Sequence, residues 1–254
     1  MKFGPLVSAT FVRRDNRFRV QVQIEGRTEA AHLPNSGRLG ELLVAGRKVC
    51  LAPADVRRNP KRLTAYDMVL VEFGGRWVSV DARLPGHLVD EALCQGQLVV
   101  RQGSQAGFEG YTTVRREVYL GESRLDFRLE AGPGETPCWI EVKSVTLVVA
   151  GVARFPDAPT LRGQRHVREL TRAVGKGERA AVVFVVQRDD AEYFVPHDEA
   201  DPAFGRALRE AAQAGVEVYA WRCRVSREAI QLADAIPVRL GTFATSVNGS
   251  FSST

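Results

Sequence analysis

The chain has 254 residues, 44% of them apolar, 26% charged and 8% aromatic, enough to bury one large core or two moderate ones and too ordinary for a fibrous or wholly disordered protein. Its longest uninterrupted apolar run, Ala180–Val186, is far short of the roughly 20 residues a membrane-spanning helix needs. The net charge of +5 is unevenly placed: residues 1–80 carry 14 Lys and Arg against 7 Asp and Glu, whereas residues 81–240 carry 21 against 23. The basic character therefore belongs to the front third, which suits either a nucleic-acid partner or a merely soluble basic surface.

The front third reads as β-structure. Arg17–Glu25 alternates polar and apolar residues without a fault, as a strand with one buried face must. Leu6–Val12 precedes it, Gly26-Arg27 turns it into a third strand over Thr28–Leu33, and Val49–Ala52 is a fourth. Gly74-Gly75 joins Met68–Phe73 to Trp77–Val80 as a hairpin, and Gly40–Val44 leaves room for one short helix. This pattern predicts an oligonucleotide-binding (OB) barrel over residues 1–82.

Past Asp81 the rhythm changes. A helix is expected over Pro85–Leu98, strands over Leu125–Leu129 and Trp139–Val145, a helix over Arg162–Val174 and a strand over Ala180–Val186. A helix over Pro202–Ala214, capped by Asp201 and ended by Gly215, and a strand over Val216–Trp221 complete a mixed α/β domain over residues 83–240. Gly241–Thr254, uncharged and rich in Ser, Thr and Gly, reads as a disordered tail. The opening Met1-Lys2-Phe3-Gly4-Pro5 lacks the pattern of a secretory signal, and Cys50, Cys94, Cys138 and Cys223 include no C-x-x-C pair. A cytoplasmic protein with reduced, core-buried cysteines is the expectation.

Phosphate-binding glycine loops and a hydrolase elbow are missing from the sequence, which leaves acidic residues on strands. In Trp139-Ile140-Glu141-Val142-Lys143, period two sets Glu141 and Lys143 on one face and Ile140 and Val142 on the other. Asp126 lies fifteen positions earlier, and Gly132–Pro137 can fold the two strands together. An acid followed by Glu-x-Lys on a central strand is the pattern of metal-dependent phosphodiesterases of the restriction-endonuclease type, PD-(D/E)xK. Two carboxylates offer hard oxygen ligands to Mg²⁺ or Mn²⁺, and the lysine stabilises charge on the phosphate or positions water. Glu117 is a possible third acid. The competing reading is a solvated surface ion pair worth roughly 0–1 kcal/mol. Arg162 and His166 share a helix face at i, i+4, so either both reach the phosphate or His166 lies half-buried against Leu170 and donates to a backbone carbonyl.

Phe155–Leu170 following Ile140–Leu147, together with Arg124–Phe127 and His32–Arg38, resembles the signature stretches of the sugar fermentation stimulation protein A family. The resemblance runs from about Phe3 to Leu240. It implies an N-terminal OB barrel joined to a restriction-endonuclease-like mixed-sheet domain, sequence-nonspecific DNA binding, and a role in bacterial sugar (maltose) use described as regulatory. Asp126, Glu141 and Lys143 match the metal and catalytic positions, Arg162 and His166 the helix motif, and Glu117 is a weaker carry-over. Ser36 stands where Thr is more usual and keeps the hydroxyl. Asn35, Ser36, Gly37 and Arg38 are candidates for nucleic-acid contact, since such a loop presents amides, a hydroxyl and an arginine together; the alternative is that Asn35 and Ser36 cap the short helix that follows. Phe11, Phe18, Tyr66 and Trp77 are candidate stacking residues wherever they face outward. Function then divides between a DNA binder with a Mg²⁺-dependent nuclease site and a non-catalytic DNA-binding regulator, with a small-molecule phosphodiesterase as a weaker third.

Overall fold

The computed structural model describes residues 1–54, 62–98, 107–132 and 136–241. The centre of the expected Gly-Pro-Gly turn and nearly all of the expected tail lie outside the described residues.

The first 80 residues contain strands β1 (Val7–Asn16), β2 (Arg19–Ile24), β3 (Arg27–His32), β4 (Lys48–Pro53), β5 (Tyr66–Phe73) and β6 (Arg76–Ser79), ordered β3-β2-β1-β4-β5-β6. A parallel pairing of His32 with Asp67 joins β3 to β5 and closes five strands into a barrel, with β6 appended to β5. Inward residues such as Phe11, Val20, Val22, Leu51 and Met68 fill it, as the alternation requires. Glu25-Gly26 makes the β2–β3 hairpin turn with both residues at positive φ, the twist that suits a two-residue loop.

The expected helix at Gly40–Val44 is not formed. Leu39 adopts φ 53° and the chain makes turns, dropping Leu39 and Leu42 into the barrel core. Five residues are too few to nucleate a helix, so burial of two leucines decides the local conformation.

The second half holds α1 (Leu84–Cys94), β7 (Thr113–Leu120), β8 (Ser123–Glu130), β9 (Cys138–Val145), β10 (Val148–Val149), β11 (Val152–Phe155), α2 (Leu161–Gly175), β12 (Arg179–Val186), β13 (Tyr193–Pro196), α3 (Pro202–Gln213), β14 (Glu217–Val225) and β15 (Ile230–Ala235). Six strands run in the order β15-β14-β12-β9-β8-β7, parallel across β14-β12-β9 and antiparallel outside them. The sheet is covered on one side by α1 and on the other by α2 and α3. Burial on both sides explains why β12 is almost wholly apolar. Asp201 caps α3 through Phe204 N, as anticipated, and Thr160 caps α2 through Gly163 N. α1 ends four residues before the expected Leu98, at the turn containing Gly96, whose φ is +64°. Strands β7, β10, β11, β13 and β15 were not anticipated: β7 is a polar, largely exposed edge, and β10, β11 and β13, which form a small separate sheet, are too short to show a period.

The two units are joined by polar contacts rather than a bare linker. Ser79 donates through N (3.0 Å) and Oγ (2.9 Å) to Gln187 at the end of β12, and Gln187 Nε2 donates to Ser144 Oγ. Arg188 is buried over the Phe73 ring at 4.9 Å and pairs with Asp190. Residues Met1–Phe3 pair with Glu228–Ile230 beside β15, so the chain's start sits on the second unit. Of the four cysteines, Cys50, Cys138 and Cys223 are buried as expected, but Cys94 is exposed, because the face of α1 carrying Leu88, Val89 and Ala92 turns inward and Cys94 turns out. No helix among the described residues is long and apolar enough to cross a membrane.

Candidate active site and nucleic-acid interface

The antiparallel β8–β9 ladder pairs Leu129 with Cys138, Arg128 with Trp139 and Phe127 with Ile140, then stops one step before Asp126 and Glu141. β9 continues straight, paired along its whole length with β12. The β7–β8 ladder likewise skips the Glu117–Asp126 step, where Glu117 has φ 52°. The sheet therefore splits at Asp126, and the freed Val142 N donates to Asp126 Oδ2 at 2.7 Å.

Glu141 is not a surface residue. Its side chain is 5% exposed and that of Lys143 11%, which removes the solvated ion-pair reading. Glu141 Oε1 accepts from Lys143 Nζ and lies against His166 Nδ1, each at 2.5 Å. Arg162 Nε donates to His166 Nε2 at 3.2 Å, so the His166 proton sits on Nδ1 and is donated to Glu141. Of the two arrangements open for His166, the bond to a backbone carbonyl is not the one adopted. Glu141 Oε2 is buried without a hydrogen-bond partner.

The two carboxylates titrate in opposite directions. Burial, reinforced by the Glu141 charge, pushes Asp126 up to about 6 against the pull of its Val142 bond. Burial would also raise Glu141, but Lys143 and His166 together outweigh it and hold the carboxyl below its usual range. Glu117 stands apart: it is largely exposed, pairs with Arg124 at 3.5 Å and shares with Asp126 a cleft of about 420 Å³ beside α1. Among the described residues no three His, Cys, Asp or Glu side chains gather as a metal set.

A second cleft, of about 470 Å³, lies between the barrel and the sheet domain. Arg17, Ser36 and Gly37 line it from the barrel, Arg154 and Arg162 from the other side, and Arg154 Nε is buried without a partner. Ala82 and Ser144 line both clefts, which makes them neighbours around the strand end that carries Lys143. Asn35 is nearly buried and its side chain works internally: Nδ2 donates to Val80 O and Oδ1 accepts from Gly37 N. It caps no helix, since none follows. Ser36 and Arg38 are exposed. Asp157 Oδ2, from the sheet domain, accepts from Leu39 N, and Arg14 holds the carbonyls of Asn35, Gly37 and Arg38, so this loop is pinned from both sides. Of the candidate stacking residues, Phe11 is buried, Tyr66 and Trp77 pack on cores, and Phe18 faces out.

Comparison with known proteins agrees with this two-part architecture. Residues 12–80 match the family described as the SfsA N-terminal OB domain, and residues 83–229 the sugar fermentation stimulation protein RE domain. The chain belongs to the sugar fermentation stimulation protein A (SfsA) family. It is 48% identical over 235 residues to the sugar fermentation stimulation protein homolog of Moorella thermoacetica, covering 92% of this chain and 97% of that one. The homolog of Desulforamulus reducens is 46% identical over 236 residues, 92% and 93% of the two chains. Among solved structures, that of Pyrococcus furiosus SfsA in complex with Ca²⁺ is similar with a TM-score of 0.82 at 33% identity, over 94% of this chain and 98% of that one. The fold is thus the SfsA pairing of a closed five-strand OB barrel with a restriction-endonuclease-like mixed sheet.

Proposed function

We propose that this SfsA-family protein binds nucleic acid, DNA without sequence preference, and carries a Mg²⁺- or Mn²⁺-dependent phosphodiesterase site at Asp126 and Glu141. The observation that carries the reading is the buried, unpartnered Glu141 Oε2 beside a second, half-buried carboxylate. An orphan carboxylate oxygen next to another acid is expensive to bury and is satisfied by a divalent cation. Hard oxygen donors suit Mg²⁺, which keeps several waters and needs only one or two protein carboxylates. The Ca²⁺ complex of the Pyrococcus furiosus relative supports a cation of this class.

Asp126 and Glu141 would hold the ion, which when bound polarises the phosphate and acidifies a water. Lys143 pairs with Glu141 in the free protein, and with a cation held by the carboxylates its ammonium would supply positive charge for the phosphate. Arg162 can bind the adjoining phosphate from the junction cleft. His166 lines neither cleft itself; bonded to both Glu141 and the cleft-lining Arg162, it acts as a positioning residue for Glu141. A part in maltose use would run through nucleic-acid binding.

Calorimetric Mn²⁺ titration of wild type beside Asp126→Asn, paired with incubation of labelled single- and double-stranded substrates in Mg²⁺, Mn²⁺ or EDTA, tests the reading. Metal binding and cleavage lost in the variant, with DNA binding retained, are expected. A wild type that binds no metal leaves the non-catalytic DNA-binding regulator.

A further inference from the structure

Phe18 is an aromatic ring that the fold leaves outside any core. It is 47% exposed, yet its backbone is held rigidly: Phe18 N donates to Asn16 Oδ1, and Phe18 O accepts from Leu33 N and lies 3.0 Å from His32 Nδ1. The His32 ring lies 6.2 Å away at 31°, supporting one side of the phenyl. The preceding residue, Arg17, lines the junction cleft, and its carbonyl is fixed by Arg14 Nη2 at 2.6 Å. On the far wall Leu161, 81% exposed, opens α2 immediately before Arg162. Arg154, with its buried, unpartnered Nε, completes the lining.

The cleft thus combines three arginines with the exposed Leu161 in its lining, and Phe18 follows Arg17 in the turn between β1 and β2. Arginines lining one cleft suit a phosphodiester backbone. An exposed ring suits the π-face of a base, which a duplex keeps inside its stack and only an unpaired strand presents. We infer that the substrate of this cleft is an unpaired polynucleotide strand, its phosphates on Arg17, Arg154 and Arg162 and a base stacked on Phe18. The inference rests on the nucleic-acid reading above and adds strandedness to it. The Phe18 mount stands apart from the metal site, so the two are separable by experiment.

The test is fluorescence anisotropy of the full chain, in EDTA, with labelled oligo-dT, oligo-rU and a duplex of equal length. Wild type should bind one or both single strands more tightly than the duplex, and the tighter of the two identifies the sugar. Phe18→Ala should weaken single-strand binding by about 5- to 100-fold, the loss of one stacked base, and leave duplex binding unchanged. Phe18→Trp should restore it, and unaltered melting of both variants excludes misfolding. Equal losses on single strand and duplex, no loss on the single strand, or a wild-type preference for duplex overturns the inference while leaving nucleic-acid binding intact. A wild type that binds none of the three overturns the nucleic-acid reading as well.

Discussion

His166 Nδ1 lies 2.5 Å from Glu141 Oε1 and ties the α2 helix to the central strand β9 at the point where the sheet splits. Both side chains are nearly inaccessible, so the bond is formed in a medium where losing one partner is costly. His166→Ala should destabilise the fold by about 1–3 kcal/mol, measured by urea unfolding, because a buried carboxylate loses a donor. It should also weaken Mn²⁺ binding roughly 10-fold or more, since the ligand is no longer oriented. A purely structural histidine would move the first measurement and not the second.

The arginines of the junction cleft lead to a salt prediction. Each phosphate contact contributes about 0.7 to 0.9 to the slope of log affinity against log salt. Arg17→Ala and Arg162→Ala should each lower the slope by about one contact and weaken binding to every sequence alike. Only Arg162→Ala should also disturb Mn²⁺ affinity, because Arg162 alone of the two holds His166. A variant that changes preference among sequences would mean base readout.

How much of this was legible in the sequence depends on the distance over which each residue acts. Asp126, Glu141 and Lys143 were legible because strand alternation fixes their faces, and Arg162 and His166 because helical spacing fixes theirs. The bond between His166 and Glu141 has no such signal: it joins a helix to a strand in the third dimension. The loop Asn35–Arg38 was legible as a loop, but its partner Asp157 lies 118 positions from Leu39, and no local pattern announces that contact. Burial of the Glu-x-Lys pair was hidden for the same reason, since it depends on α2 covering that face.

That loop supports a third prediction. A Cβ on Gly37 would lie 2.5 Å from Asp157 Oδ2, closer than real contacts allow, and a tight 3.0 Å from Asn35 Oδ1. Gly37→Ala should therefore cost about 1–3 kcal/mol by forcing the barrel loop off the sheet domain. Gly37→Ala combined with Asp157→Ala should be less destabilised than the sum of the two single variants, the coupling expected of residues in contact. Additive losses in chemical unfolding would show that the loop moves independently of Asp157.

Asp126 provides the pH prediction. Its carboxyl titrates at about 6 in the folded protein, raised by burial and by Glu141, against about 3.9 in an unfolded chain. Between those values the folded state holds a proton that the unfolded state has lost, so stability contributed here is complete below about pH 4 and declines as the pH rises through 6. The loss, complete above pH 6, is on the order of 3 kcal/mol. Glu141 works the other way: its lowered carboxyl adds stability above its ordinary range that is lost as the medium acidifies. Asp126→Asn keeps the volume and an oxygen for Val142 N while removing the charge, so its melting temperature at pH 7 should exceed that of wild type, and the decline between pH 4 and 6 should vanish. Mg²⁺ should raise the wild-type melting temperature at pH 7 and shift its decline to lower pH, because a cation favours the charged carboxylate, and should do neither in the variant. A melting profile of wild type that is flat from pH 4 to 7, or a Mg²⁺ response that survives Asp126→Asn, would place the charge and the cation elsewhere.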